Sequence, residues 1–209
     1  MTETADLLRQ HRVVIIYRGY GPQECLDLTR LLCSAGLRLF EVTMNSDSPL
    51  ASIELLRAEL GSEATIGAGT VLAEDEVGKA AAAGAAFVVS PDINEGVVAR
   101  TKEAGLASVP GAFTPTEILR AARAGADLVK VFPIRPVGAG YIRQLRGPLP
   151  DVELVATGGV DADLARQCFE EGCAGVGVGA HLLGARPGAR FDEAEVARQA
   201  RRLLAAAGR

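Results

Sequence analysis

The stretch RAGADLVKVFP, Arg123 to Pro133, decides the fold. It opens on a small residue and a glycine suited to the end of a helix, continues as an apolar run and stops at a proline. That order reads as a helix C-cap leading into a short buried strand. The same figure recurs as SAGLRLFEV from Ser34, AAGAAFVVS from Ala82, EAGLASVPG from Glu103 and EGCAGVGVG from Glu171. With the apolar runs Val13 to Tyr17, Ala64 to Ala68 and Val152 to Ala156, the count reaches eight strands, beginning near residues 13, 38, 64, 86, 107, 127, 152 and 174. Steps of about 20 to 26 residues accommodate one strand, one loop and one helix per unit.

Helical stretches fill the gaps, with starters such as Asp47-Ser48-Pro49, Thr114-Pro115 and Asp161. Strands that are apolar on both faces and each lead into a helix predict a parallel sheet covered by helices. The expected class is therefore α/β, closed into a (β/α)8 TIM barrel, with Thr2 to His11 as an extra N-terminal helix beneath it. No linker rich in Pro, Ser or charge divides the chain, so residues 1–209 are expected to form a single domain. A doubly wound dinucleotide fold is the rival, because GAGT at Gly67 to Thr70 and GVGVGA at Gly175 to Ala180 resemble glycine-rich loops. Neither spells GxGxxG at the first strand, and neither is followed by the acidic residue that fold requires.

Composition narrows the function. A net charge of -4 without a basic cluster argues against nucleic acid or an anionic membrane as partner. Without a long apolar run or a signal-peptide pattern, a cytoplasmic location is expected. Cys25, Cys33, Cys168 and Cys173 lack CxxC spacing and read as small buried hydrophobes. With only His11 and His181, no metal site built on two or three histidines is expected.

Against that background Lys130 is conspicuous. The chain has 22 Lys plus Arg but only three lysines, Lys79, Lys102 and Lys130, so arginine supplies most positive charge. Only lysine offers an amine nucleophile. Free lysine is neutral at pH 7 roughly once in 2500 molecules, and burial raises that fraction. A desolvated amine can then form a Schiff base with a carbonyl. Glu41 similarly interrupts an apolar strand near its end, where desolvation would raise its pKa and suit it to proton transfer. Lys130 could instead snorkel to water or join an ion pair, and Glu41 could be its salt-bridge partner or that of Arg18. In a barrel, chemistry gathers at the C-terminal ends of the strands. There the chain places Arg18, Glu41, Thr70, Pro91, Lys130 and Thr157, with glycines Gly158, Gly159 and Gly177 to Gly179 where this fold commonly binds phosphate.

The motifs FEVT at Phe40 to Thr43, IGAGTV at Ile66 to Val71, VSPDI at Val89 to Ile93, PGAFTPTE at Pro110 to Glu117, LVKVFP at Leu128 to Pro133 and ATGGV at Ala156 to Val160 run in order along most of the chain. Together they resemble the 2-keto-3-deoxy-6-phosphogluconate and 2-keto-3-deoxy-6-phosphogalactonate aldolases. The resemblance implies a class I lyase of Entner-Doudoroff-type carbohydrate metabolism, commonly a homotrimer, needing no metal or other cofactor, that acts on a small phosphorylated 2-keto sugar acid. By position, Lys130 matches the Schiff-base lysine and Glu41 the general acid/base. Thr70, Pro91, Phe132 and Thr157 match residues at the pyruvate end, and Arg18 is a further candidate for holding an anionic or hydroxyl group. Gly158, Gly159 and the turn at Gly179 match the phosphate loops, with Ala180 standing where many members carry Ser. Asn45-Ser46 with Arg18-Gly19 resembles the phosphogalactonate branch, whereas Thr157 in ATGGV resembles the phosphogluconate branch, so both epimers stay open. Further readings are a 4-hydroxy-2-oxoglutarate aldolase, a phosphate-binding barrel isomerase or synthase, and a non-catalytic sugar-phosphate binding protein on the same scaffold.

Overall fold

The computed structural model describes residues 3–209. The repeated small-Gly figure is a helix terminator in each of its five copies. Gly36, Gly84, Gly105, Gly125 and Gly172 all adopt positive φ, between 74° and 106°. In every copy the N–H one residue later reaches back to a carbonyl in the last helical turn: Leu37 to Leu32, Ala85 to Ala80, Leu106 to Thr101, Ala126 to Ala121 and Cys173 to Cys168, at 3.0 to 3.2 Å. This is the Schellman arrangement, which needs a left-handed residue and therefore favours glycine.

The strands that follow are β1 (Val13–Tyr17), β2 (Leu39–Thr43), β3 (Thr65–Gly69), β4 (Phe87–Val89), β5 (Ala107–Val109), β6 (Gly111–Ala112), β7 (Val129–Val131), β8 (Leu154–Thr157) and β9 (Gly175–Gly179). All pairings are parallel, in the order β5-β4-β3-β2-β1-β9-β8-β7-β6. β5 and β6 are two pieces of one stave on either side of Pro110, whose missing N–H interrupts the ladder. The lower piece pairs with β4 and the upper with β7, so the ring closes through the fifth stave. Eight staves result, as the repeat predicts.

Helices α2 (Pro22–Ser34), α3 (Pro49–Leu60), α4 (Glu74–Ala82), α5 (Glu95–Glu103), α6 (Pro115–Arg123), α7 (Gly140–Arg146), α8 (Ala162–Glu170) and α9 (Glu193–Ala206) follow the strands. Their starts are encoded locally. Thr114 and Glu117 form a reciprocal capping box, while Asn94 and Asp161 accept backbone N–H bonds at the starts of α5 and α8. Between helices and barrel lies one large core, including Ile15, Tyr17, Phe40, Ile66, Leu32 and Ile53. Full burial of each such side chain contributes about 1.5 to 3 kcal/mol.

A second, smaller core fills the tube. Val14, Leu39, Phe87, Val89, Ala107, Val109, Leu128 and Val155 point inward and meet Ala5 and Leu8 from α1 (Glu3–His11). The expected N-terminal helix is thus present as the floor of the barrel; Thr2 lies outside the described residues. Arg9 on α1 fixes the floor through an ion pair to Glu153 at 2.7 Å and a bond to the Asp127 carbonyl. No described helix is long and apolar enough to cross a membrane.

Candidate active site

One step above that apolar plug the inward positions change character. Glu41 on β2 lies level with Ile16 and Gly67, and Lys130 on β7 lies level with Gly111 and Val155. Both side chains are enclosed, Lys130 with 5% and Glu41 with 2% of its surface exposed. Together with Thr157 they face a small interior void of about 20 Å³ above Val14 and Phe87. Space for the carboxylate is made by Gly69, where an added Cβ would collide with the Glu41 carboxyl group. Gly67 is bare for a related reason, because the Phe87 ring lies over it.

Among the described residues no hydrogen bond reaches Glu41 Oε1. No ion pair joins Glu41 to Lys130 or Arg18, so the salt-bridge reading of these residues does not hold. Burial therefore dominates both groups. It pushes the Glu41 carboxyl up from its ordinary range, opposed by the nearby charges of Lys130 and then Arg18. Burial likewise pulls the Lys130 amine down, with Glu41 opposing and Arg18 assisting the shift. The Phe132 ring completes the surroundings, its centroid 5.0 Å from the lysine Nζ.

Lys130 and Thr157 also open upward into a cavity of about 540 Å³ at the C-terminal mouth. Arg18, Thr70, Pro91 and Phe132 line it on one side, Gly158, Gly159 and Gly179 on the other. The structure thus gathers nine of the eleven sequence-selected residues around one space. The other two stand apart: Glu41 lines the interior void that Lys130 also touches, and the Ala180 methyl is fully buried outside the lining. Arg18 is held by Asn45 Oδ1 at 2.7 Å and Thr70 Oγ1 at 3.2 Å, so the residue that marks one substrate branch in the sequence serves here as a tether. Thr70 itself has a positive φ of 56°. That conformation is unfavourable for a β-branched residue and turns its hydroxyl toward the arginine.

Gly177, one of the strand-end glycines read from the sequence, also lines the wall, and sequence reasoning missed Ile16, His181, Leu182 and Pro187, which complete it. For His181 a signal existed, since it lies two residues beyond a glycine-rich strand end. Pro187 had none: its loop is brought over the mouth by Glu24, which accepts from Gly188 N at 2.7 Å, and by Tyr20, which donates to the Ala185 carbonyl. No group of three or more His, Cys, Asp or Glu side chains among the described residues could hold a metal ion.

A buried amine facing an unbonded carboxylate at the bottom of an open cavity is an arrangement for imine chemistry, and comparison with known proteins gives it a lineage. The family model for KDPG and KHG aldolase matches residues 4–198. The chain belongs to the KDPG and KHG aldolase family. It is 36% identical over 171 residues to the 2-dehydro-3-deoxy-6-phosphogalactonate aldolase of Escherichia coli strain K12, covering 81% of this chain and 83% of the relative. To the 2-dehydro-3-deoxy-phosphogluconate aldolase of Treponema pallidum strain Nichols it is 35% identical over 156 residues, 74% of each chain. A solved native KDPGal structure superposes with a TM-score of 0.86 at 34% identity, covering 94% of both chains. Family membership accounts for the coincidence of barrel, amine and carboxylate, and it removes the dinucleotide fold and the unrelated isomerase or synthase as readings.

Proposed function

We propose that Lys130 and Glu41 are the catalytic pair of this class I aldolase. The chain cleaves a 2-keto-3-deoxy-6-phospho sugar acid reversibly to pyruvate and glyceraldehyde 3-phosphate through a lysine Schiff base. In this reading Lys130 Nζ attacks the C2 carbonyl, water leaves and a protonated imine forms. Glu41 takes the proton of the C4 hydroxyl, directly or through a water. The C3–C4 bond then breaks, its electron pair moves toward the imine nitrogen and an enamine remains. The same carboxyl returns the proton to C3, and hydrolysis frees pyruvate and the amine. One observation carries the assignment: the two groups are the enclosed ionisable side chains of the upper barrel layer, facing the same void without neutralising each other.

Thr70, Pro91, Phe132 and Thr157 form the pyruvate end, Arg18 holds a substrate oxygen, and the Gly158, Gly159 and Gly179 turns take the phosphate. Of the two epimers we favour the galactonate type, supported by the Arg18–Asn45 tether and the similarity to the E. coli phosphogalactonate enzyme. Thr157 in the cavity wall supports the gluconate type as the second reading. The proposal includes a homotrimer acting in the cytoplasm, with residues 1–209 as one catalytic domain.

Pyruvate plus borohydride is expected to add one reduced pyruvyl group at Lys130, located by peptide mass; an unmodified chain would overturn the assignment. Cleavage of both epimeric acids and of 4-hydroxy-2-oxoglutarate, run side by side, should rank the galactonate compound first. Light scattering tests the trimer, for which a monomer mass is the adverse result, and cell fractionation tests the location.

A further inference from the structure

Among the polar side chains on the cavity wall, Arg18, Thr70, Lys130, Thr157 and His181, none is acidic, so the space suits an anionic ligand at both ends. Four of the five already have an occupation. Arg18 and Thr70 bond each other, Lys130 is the reacting amine, and Thr157 lies beside it at the bottom. His181 is different. It is exposed at the rim, and no side-chain hydrogen bond engages its imidazole among the described residues. The ring is folded back over the end of β9: an ideal Cβ on Gly179 would stand 2.5 Å from its Cε1 and 2.7 Å from its Nδ1. Absence of a side chain at Gly179 is therefore what allows the imidazole to lie within the mouth. Beside it Ala180, with its methyl buried, offers the cavity no side-chain donor.

We propose that His181 is a substrate-binding residue that donates a hydrogen bond to the terminal phosphoryl group, so that it sets the preference for phosphorylated over unphosphorylated 2-keto acids. The inference rests on the aldolase reading above. In such a substrate the carboxylate is bonded to C2, the carbon that Lys130 attacks, and must stay at the bottom. The phosphoryl group sits on the oxygen of C6, four carbons away, and extends toward the rim where His181 waits.

The test compares kcat/KM for the phosphorylated acid and for the same acid lacking phosphate, in wild type, His181→Ala and His181→Gln. In His181→Ala the preference for the phosphorylated acid should fall roughly tenfold, as loss of one hydrogen bond to a charged group implies. The loss should appear mainly in KM. His181→Gln, which keeps an N–H donor, should recover part of it. A preference unchanged within about twofold in both variants, or an equal loss for both acids, overturns the assignment of His181 alone. Wild-type protein that cleaves neither acid overturns the aldolase reading and this inference together.

Discussion

Two places in this barrel set a lysine against an enclosed carboxylate, and they are built oppositely. At the floor, Lys102 Nζ meets both oxygens of Asp127 at 2.6 and 2.7 Å, and one of those oxygens also accepts from Ser108 N at 2.8 Å. Asp127 is as enclosed as the groups above it, with 5% of its side chain exposed, yet it is fully partnered. In the upper layer Lys130 and Glu41 face each other unbonded. The difference teaches what each pair is for. A buried carboxylate with a lysine and a backbone N–H as partners is held in place and chemically quiet. One left without partners costs stability and keeps its proton exchangeable.

The largest effects should come from exchanging these roles. Lys130→Met is expected to abolish turnover and borohydride trapping while leaving the chain folded. Lys102→Met should keep the kcat within a few-fold but lower the unfolding free energy by about 1 to 3 kcal/mol, because Asp127 loses its cation. Turnover and urea midpoints measured on both variants would break the comparison if Lys102→Met proved the inactive one.

Next in size is Glu41→Gln, which should lower kcat by about 100-fold or more, the usual range for a general acid/base, with the pyruvate adduct still formed. Gly69→Ala reaches the same carboxylate from outside the chemistry, since its methyl would occupy the Glu41 position. A Gly69→Ala variant with normal kcat would show that the carboxylate has more freedom than its enclosure suggests.

The smallest effects are in stability against pH. Burial lowers Lys130 below its ordinary 10.5, so the folded state carries the full penalty of the enclosed ammonium below the lowered value. Between that value and 10.5 the unfolded chain binds more protons, and stability from this group rises with pH. Glu41 runs the other way. Raised above 4.5, it adds no penalty below 4.5 and an increasing one as pH climbs through the raised value. Lys130→Met should therefore stabilise the protein most at low pH, and Glu41→Gln only above about pH 4.5, each on the order of 1 kcal/mol. Urea midpoints across pH would sharpen the contrast, and Lys102→Met should show no such gain.

Much of this was legible in the sequence. The Schellman glycines announce themselves five times, so the stave count follows even though Pro110 cuts one stave in two. Lys130 and Glu41 stand out because a charge in an apolar run is rare. What stayed hidden depends on long-range closure. Nothing local says that Gly69 is the slot for Glu41 rather than a turn residue, or that Asn45 holds Arg18 from the next loop. His181 and Pro187 enter the wall only because the chain after β9 folds back over the mouth and is secured by Tyr20 and Glu24.

Helix α1 gives the tube a closed end. With Ala5 and Leu8 packed beneath the amine and Arg9 bolted to Glu153, Lys130 meets open space at the C-terminal mouth. In the proposed reading the aldehyde half lies outermost there and the three-carbon half deepest, so the first departs before water follows in to release the second. The corked end and the order of bond breaking then agree on which product leaves first.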